Sequence, residues 1–273
     1  MLTIAILAVS GAGTLVRLAP GAHPLAVAFW RTAIVAVLLA PGLHRVAPRT
    51  LAAAGAAGLL LALHFWAWFA SLGQTTVLRS TVLVCLTPLW VGVLEVLFLR
   101  ARPGPRYWAG LAVALGGVGW LAFGAGGEEG RASLLGDGLA LVGGLLSSAY
   151  LVIGRVVRPV VAIGAYGSLV CGAAALVLGL LALVVGAPFG PGEAGWWPIL
   201  LLALGPQLLG HIGFNYAVAY VPARVVAMTI LLEPPGGAIA AALLLGELPT
   251  TGDLVGAVVI LAGVGLALPR GEA

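Results

Sequence analysis

Ten long apolar runs, separated by short polar breaks, constrain this sequence more than any other feature. The runs cover residues 2–19, 24–41, 51–73, 78–99, 107–124, 136–157, 162–186, 196–219, 225–246 and 253–268. A helix needs roughly 20 mainly apolar residues to cross a bilayer, because it must span a hydrocarbon core about 30 Å thick. The runs lack the period-2 alternation of barrel strands. They therefore predict an all-α integral membrane protein with ten transmembrane helices.

The composition excludes both a water-soluble protein and a disordered one. Hydrophobic residues make up 62% of the 273 residues and charged residues only 8%, with a mean hydropathy of +1.15. A soluble domain is closer to half apolar and one quarter charged, whereas a disordered chain is polar and highly charged. The lipid bilayer is therefore the first predicted partner of this chain.

All 13 basic residues are arginines, and their distribution predicts the topology. With ten spans, both termini lie on the same side of the membrane. The loops and ends of that side contain nine arginines: Arg45, Arg49, Arg100, Arg102, Arg106, Arg155, Arg158, Arg224 and Arg270. The loops of the opposite side contain three: Arg17, Arg79 and Arg131. Positively charged loops stay in the cytoplasm, so both termini are predicted to be cytoplasmic in a plasma (inner) membrane. Because the positive net charge of +4 comes from arginines dispersed in short loops, it reflects membrane topology. No nucleic acid partner is expected.

The second half of the sequence repeats features of the first half. Five positions recur at a constant offset of 146 residues: Pro88, Pro103, Gly110, Gly117 and Gly119 match Pro234, Pro249, Gly256, Gly263 and Gly265. Each half contains five spans, and an odd number makes the second half enter the membrane from the opposite side. The sequence thus predicts two inverted five-helix repeats, 1–124 and 136–273, joined by a central linker at 125–135.

Spans four and nine each carry a proline inside the apolar run, at Pro88 and Pro234. A proline removes one helical hydrogen bond and clashes with the carbonyl group four residues earlier. An ordinary kink is one explanation. Interrupted helices at matching positions of two repeats, however, are typical of a transport site. We therefore predict hinges at both prolines, with free carbonyl oxygens at Val84 and Ile230.

Three ionisable side chains lie within spans: Arg31, Glu95 and Glu233. A charge there costs about 2.5–3.5 kcal/mol on insertion scales unless it is paired or hydrated. Glu95 lies near the end of its span, so we expect its carboxylate to reach the interface. Arg31 and Glu233 lie deeper, and two alternatives stay open: a buried structural pair, or a transport role for Glu233. No cofactor or metal is expected, although a Glu233 facing a cavity would offer proton coupling.

Polar side chains recur at helical spacing in spans three and eight. Gln207, His211 and Asn215 are spaced i, i+4, i+8, which places them on one face of an α-helix. The candidate substrate-binding residues are His64, Trp68, Ser71, Ser80, Val84, Thr87, Gln207, His211, Asn215 and Glu233. For a zwitterionic solute, His211 and Asn215 could donate to the carboxylate, while the Trp68 ring could attract the ammonium.

Several short motifs resemble the EamA-type family of the drug/metabolite transporter (DMT) superfamily. They are Phe29-Trp30-Arg31, His64-Phe65-Trp66-Ala67-Trp68-Phe69-Ala70-Ser71-Leu72, Thr87-Pro88-Leu89-Trp90, Gly213-Phe214-Asn215-Tyr216-Ala217, Leu232-Glu233-Pro234 and Leu245-Gly246-Glu247-Leu248-Pro249. The resemblance covers essentially the whole chain as two units. It implies an inverted-repeat carrier whose spans one, three, four, six, eight and nine surround a central cavity. Such carriers move small metabolites and often export amino acids. One departure is visible: the first half has Ala101 where the second has Glu247, so that acidic position has no symmetric role.

The leading hypothesis is a secondary transporter, acting as a monomer, that exports small-molecule metabolites such as amino acids by alternating access. The alternative from another class is an intramembrane enzyme that uses His64, His211 and Glu233. An enzyme of that kind predicts acidic or histidine clusters near one membrane face, and the sequence contains none. It also lacks a phosphate-binding loop and a metal-ligand cluster, so the chain is not expected to be an enzyme.

Overall fold

Ten helical segments make up most of the computed structural model, which describes residues 1–43, 46–75, 77–123, 133–246 and 248–268. They are α1 (Leu2–Arg17), α2 (Pro24–Leu39), α3 (Pro48–Leu72), α4 (Val77–Val84 and Thr87–Leu99), α5 (Pro105–Phe123), α6 (Leu134–Val157), α7 (Ile163–Val184), α8 (Trp197–Ala217), α9 (Ala223–Ile230 and Glu233–Leu245) and α10 (Thr251–Ala267). No strand occurs within these ranges. Arg45, Arg131, Glu247, Arg270 and most of the predicted linker at 125–135 lie outside the described residues.

The helices confirm an all-helical membrane protein, although not the full count of spans. Among the described residues, seven helices are long and apolar enough to cross a membrane, namely α2, α3, α4, α6, α7, α8 and α9. The helices α1 and α10 are shorter apolar helices, and α5 contains 19 residues. That all ten cross the bilayer stays a prediction.

Local sequence explains where several helices begin. At α2, the His23 side chain accepts a hydrogen bond from the Leu25 N–H at 3.2 Å, and Pro24 fills a position whose N–H has no helical partner. At α10, Thr250 and Asp253 cap each other: the Asp253 N–H donates to Thr250 Oγ1 at 3.2 Å, and the Thr250 N–H donates to Asp253 Oδ2 at 2.8 Å. Each cap lies within three residues of a predicted span start.

Small residues bring α5 and α10 into direct backbone contact. A Cβ atom on Gly110 would lie 2.5 Å from the Gly263 carbonyl oxygen, and one on Gly117 would lie 2.9 Å from that of Gly256. Glycine permits such an approach because it carries no side chain. The two contacts follow opposite order along the two helices, so α5 and α10 are antiparallel.

The other helix contacts define two ends of the bundle. Extensive contacts join α3 to α6 and α7, α2 to α7, α1 to α8 and α4 to α6. The N-terminal end of α1 lies beside Gly213 near the end of α8, and Glu95 near the end of α4 contacts Arg224 at the start of α9. We call this end the N-terminal face. The end that carries Arg17 and the start of α10 is the opposite face.

Both α4 and α9 are interrupted just before their prolines, as the sequence predicts. The helix α4 stops at Val84 and resumes at Thr87, and α9 stops at Ile230 and resumes at Glu233. Pro88 and Pro234 fall in the first turn of the resumed helices, where proline is tolerated. Hinge motion at these breaks stays a prediction. The prediction that Val84 exposes a free carbonyl oxygen is wrong, because that oxygen accepts a 2.9 Å hydrogen bond from the Thr87 hydroxyl.

The middle of α8 is not a regular α-helix. Residues Ala203–His211 form a π-helix that contains Pro206. Its i→i+5 hydrogen bonds make a wider turn than those of an α-helix, so the angle between successive side chains changes. Gln207 and His211 lie within this π-helical segment, and Asn215 lies in the α-helical turn that follows it.

Candidate functional site: a central chamber and a vestibule

A small cavity, which we call the chamber, lies deep in the bundle. The volume open to the centre of a water molecule is about 50 Å³, which exceeds the minimum of about 10–15 Å³ needed to hold one water. Seven helices line it, namely the six that the family resemblance implies and also α2. The lining residues are Val9, Ala12, Arg31, His64, Phe65, Trp68, Val84, Thr87, Ser147, Tyr150, Leu151, Pro206, His211, Phe214, Ile230 and Glu233.

Six of the predicted site residues lie in the chamber wall: His64, Trp68, Val84, Thr87, His211 and Glu233. His64 Nδ1 lies 2.9 Å from the Gly143 carbonyl oxygen, which anchors the ring to α6. The His64 ring is stacked on Trp68 at 6.4 Å between centroids and lies 6.3 Å from the His211 ring. The chamber therefore presents aromatic and hydrogen-bonding side chains to the same small volume.

Ser71 and Ser80 lie away from the chamber wall. Their hydroxyl groups are hydrogen-bonded to each other, and Ser71 also donates to the Trp68 carbonyl oxygen at 2.7 Å. Both side chains are fully buried. The bond between the two hydroxyl groups joins the end of α3 to the start of α4. Direct solute binding by either serine stays a prediction.

Gln207 and Asn215 also lie behind the wall rather than in it. Gln207 Oε1 accepts from Arg31 Nε at 3.1 Å. The Asn215 amide donates to the Tyr150 hydroxyl, and at 3.0 Å to the His211 carbonyl oxygen. The geometry lets Gln207 position Arg31 and lets Asn215 position Tyr150, and both partners line the chamber.

Arg31 is the charged wall residue that sequence reasoning did not assign to the site. Its side chain is 1% exposed, and its Cζ atom lies 4.5 Å from the centroid of the Phe65 ring. Within the described residues, neither Nη1 nor Nη2 has a hydrogen-bond partner. A direct pair with Glu233 is therefore not formed, although both side chains line the chamber. The signal was present in the sequence, since a charge inside a span indicates a functional site by default.

A second and larger cavity, which we call the vestibule, adjoins the chamber. Its volume open to the centre of a water molecule is about 360 Å³, and its walls come from α1, α3, α4, α5, α9, α10 and the connection before α10. Trp68 and Glu233 line both cavities. From these two side chains the vestibule extends to Arg17, Pro249 and Asp253, which lie at the opposite face.

An ion pair closes the N-terminal face between α4 and α9. Arg224 donates from Nη1 to a carboxylate oxygen of Glu95 at 2.7 Å and from its backbone N–H to the other at 3.3 Å. Glu95 is only 2% exposed. The expectation that its carboxylate reaches the interface is therefore wrong, because a partner on another helix compensates its burial.

Two further arginines fasten α6 to the end of α8 at the same face. Arg155 Nη1 donates to the Val218 carbonyl oxygen at 2.8 Å and to that of Ala219 at 3.3 Å. Arg158 Nε donates to the Asn215 carbonyl oxygen at 3.1 Å. These bonds satisfy carbonyl groups at a helix C-terminus, where the helix itself provides no partners. The N-terminal face thus carries these cross-helix bonds, while the opposite face holds the vestibule.

Comparison with known proteins agrees with this architecture. The model of the EamA-like transporter family matches residues 1–123 and 134–268. A solved structure described as "Crystal structure of protein" superposes with a TM-score of 0.80 at 19% identity, covering 97% of this chain and 94% of that chain, and at this identity it shows the fold alone. Among curated proteins, no sequence matches significantly. Nothing in these matches supports the enzyme alternative built on His64, His211 and Glu233. Since the family match covers both halves, this integral membrane protein belongs to the EamA-like transporter family of the drug/metabolite transporter superfamily.

Proposed function

We propose that the chain is a secondary transporter that exports small metabolites such as amino acids by alternating access. The observation that carries this proposal is the pair of adjoining cavities that share Trp68 and Glu233. The N-terminal face beyond the chamber is fastened by the Glu95–Arg224 pair. A carrier opens to one side at a time, and this arrangement fits a state accessible from the opposite face.

The α5/α10 crossing supports an inverted relation between the two halves. Gly110 and Gly117 correspond to Gly256 and Gly263 at the repeat offset, and they meet crosswise, Gly110 with Gly263 and Gly117 with Gly256. If the two halves are exchanged, the contact of Gly110 with Gly263 becomes the contact of Gly256 with Gly117, which is the other contact observed. A two-fold axis between the two helices requires this correspondence. An axis in the membrane plane fits this arrangement, because an axis along the membrane normal would make the two helices parallel.

The remaining helix contacts exchange in the same way. In this exchange, each of α1 to α5 corresponds to the helix five places later. The contact of α3 with α6 then corresponds to that of α8 with α1, and the contact of α4 with α6 corresponds to that of α9 with α1. The helix α2 contacts its own counterpart, α7. This pattern supports two five-helix repeats, 1–124 and 136–273.

The proposed orientation follows from the arginine distribution. Nine arginines in the loops and ends of one side, against three in the loops of the other, favour cytoplasmic termini, and we place the chain in the plasma (inner) membrane as a monomer. The vestibule then faces the exterior, from which an exported solute departs. Glu233 is the proposed site of proton coupling, because its side chain borders both cavities.

The test of transport is counterflow in proteoliposomes preloaded with each of the twenty amino acids. We expect at least one to accumulate above protein-free liposomes. We expect Glu233→Gln to lose the acceleration by a pH gradient that wild type should show. Absence of flux for every amino acid contradicts the assigned solute class. Export is tested by efflux from preloaded cells, and efflux no faster than in cells without the protein contradicts it.

Cysteine labelling tests the orientation separately. In a Cys85→Ala, Cys171→Ala background, Thr14→Cys in the vestibule should react with a membrane-impermeant maleimide added outside intact cells. Ser148→Cys is the matched control, since Ser148 is fully buried and hydrogen-bonded to the Gly144 and Thr87 carbonyl oxygens. Labelling of Thr14→Cys only from the cytoplasmic side contradicts the proposed orientation.

A further inference from the structure

A buried guanidinium with unused donors distinguishes the chamber from an ordinary packed interior. Arg31 is 1% exposed, and Gln207 Oε1 occupies its Nε–H at 3.1 Å. Four of the five guanidinium N–H donors belong to Nη1 and Nη2, and among the described residues these two nitrogens find no partner. Buried charges in proteins are normally paired or hydrogen-bonded. The unused donors therefore point to a ligand that is absent when the chamber is empty.

The surroundings of Arg31 hold its guanidinium in a fixed position. The Phe65 ring lies 4.5 Å from Cζ, and Gln207 is itself held by a 3.5 Å contact from its Nε2 to Cys171 Sγ. A guanidinium held in this way offers a planar fork whose geometry matches a carboxylate through two parallel N–H···O bonds. Gln207 is a positioning residue in this arrangement.

The chamber wall also contains an acid, Glu233, which is partly exposed and makes no hydrogen bond with the terminal nitrogens of Arg31 in the described structure. An inorganic anion or a simple carboxylate would compensate only the arginine. A molecule that carries both a carboxylate and an ammonium group would compensate both side chains at once. Trp68 borders the chamber as well, and its ring face attracts cations.

We propose, resting on the transport function above, that Arg31 is the carboxylate receptor of the chamber and that the transported solutes are small zwitterions. The solute carboxylate binds Nη1 and Nη2, and its ammonium lies on the side of Glu233 and Trp68. This assigns the carboxylate to Arg31 instead of to Asn215, whose amide is already engaged by Tyr150 and the His211 carbonyl oxygen.

The first experiment uses wild-type full-length protein in detergent and measures thermal unfolding against three matched series. The series are L-alanine, L-leucine and L-phenylalanine, each with its amide, which lacks the carboxylate, and its deaminated acid, which lacks the ammonium. We expect at least one amino acid to raise Tm, and its two analogues to bind about tenfold more weakly or worse, which is about 1.4 kcal/mol. Sodium chloride at equal concentration should leave Tm unchanged.

The second experiment compares Arg31→Gln, Arg31→Lys and the surface control Arg106→Gln. Arg31→Gln should weaken the amino acid on the order of 10- to 100-fold, about 1.4–2.8 kcal/mol, while binding of its amide stays as weak as in wild type. Arg31→Lys should fall between, because lysine retains the charge but loses the fork. A merely structural role would weaken acid and amide alike. Arg106 is exposed and lies 3.5 Å from the Leu266 carbonyl oxygen, so its variant should bind as wild type does.

Several outcomes overturn the inference. They are equal binding of acid and amide by wild type, unchanged binding of the amino acid by folded Arg31→Gln, a Tm shift of equal size with sodium chloride, or no response to any of the nine compounds. If Arg31→Gln does not fold, the wild-type series decides alone. Counterflow and cysteine labelling judge the transport function separately, so the inference can fail while that function stands.

Discussion

The two interrupted helices carry the same sequence signal, yet their surroundings differ. At the α4 break, the Val84 carbonyl oxygen accepts from Thr87 at 2.9 Å, and the Thr87 carbonyl oxygen accepts from Ser148 at 3.2 Å. The Pro88 carbonyl oxygen accepts from the Tyr107 hydroxyl at 2.6 Å. The α4 break is thus fastened to both α5 and α6.

The α9 break borders both cavities, whereas the α4 break borders only the chamber, through Val84 and Thr87. Ile230 and Glu233 line the chamber, while Glu233, Pro234 and Pro235 line the vestibule. The comparison teaches that a proline determines where a helix can break, whereas the groups packed around it determine whether the break is free to move. We infer that α9 is the mobile helix of the pair in this state.

The largest expected effect comes from crowding the fastened break. A Cβ atom on Gly144 of α6 would lie 2.8 Å from the Val84 carbonyl oxygen. That backbone atom cannot move aside as a side chain can, so we expect Gly144→Ala to lower the free energy of unfolding by about 1–3 kcal/mol. Gly138→Ala in the same helix is the control, because its Cβ would meet nothing within 4 Å. Equal melting temperatures for the two variants would contradict tight packing at the α4 break.

Replacing the prolines compares the two breaks directly. Alanine restores an N–H and favours a continuous helix, which should bias the carrier toward one state. Because Pro235 alone would keep the α9 break, Pro234→Ala is combined with Pro235→Ala. We expect this variant to lower the counterflow rate on the order of tenfold, about 1.4 kcal/mol. Pro88→Ala, at a break already fastened, should change the rate by a smaller factor and still insert normally. Wild-type rates in the α4 variant, in the α9 variant and in their combination would reject the hinges.

Removing one fastening should weaken the α4 break by a smaller amount. Tyr107→Phe deletes the hydroxyl that donates to the Pro88 carbonyl oxygen, which should cost about 0.5–1.5 kcal/mol of stability. Tyr220→Phe serves as the control, since Tyr220 is 69% exposed. Chemical denaturation of both variants measures the difference, and a Tyr107→Phe protein as stable as Tyr220→Phe would mean that the bond does not fasten α4.

The smallest effect is expected at the hydroxyl beside the break itself. Thr87→Val keeps the shape of the side chain but removes the hydroxyl that bonds to the Val84 carbonyl oxygen. That oxygen is then free, which is the state that the sequence predicts for it. Because the bond is local, about 0.5 kcal/mol is expected. The melting temperature should therefore fall by less than in Tyr107→Phe. A larger fall would show that the break depends more on this hydroxyl than on α5.

The sequence predicts the helices and their interruptions because both depend on local composition. The apolar runs satisfy their own backbone groups in lipid, and the caps at His23 and Thr250 set two of the starts. The interruptions before Pro88 and Pro234 follow from the missing proline N–H. These features need no knowledge of which helices are neighbours.

The side-chain partners within the site could not be predicted, because they join distant parts of the chain. Glu95 and Arg224 are 129 residues apart, and Arg31 and Gln207 are 176 residues apart. Spacing in the sequence indicates neither contact. The Arg31 guanidinium could be recognised as unusual, but only the structure shows that two of its nitrogens lack a partner among the described residues.

The π-helical turn of α8 has a consequence for the symmetry of the site. At the repeat offset of 146, His64 of α3 corresponds to Gly210, and it matches His211 only across a one-residue gap. The α3 segment that carries His64 is a regular α-helix, whereas the α8 segment that carries His211 is a π-helix containing Pro206. Both rings nevertheless reach the chamber wall, 6.3 Å apart. Two corresponding helices can therefore present the same side chain to one cavity from backbones of different geometry.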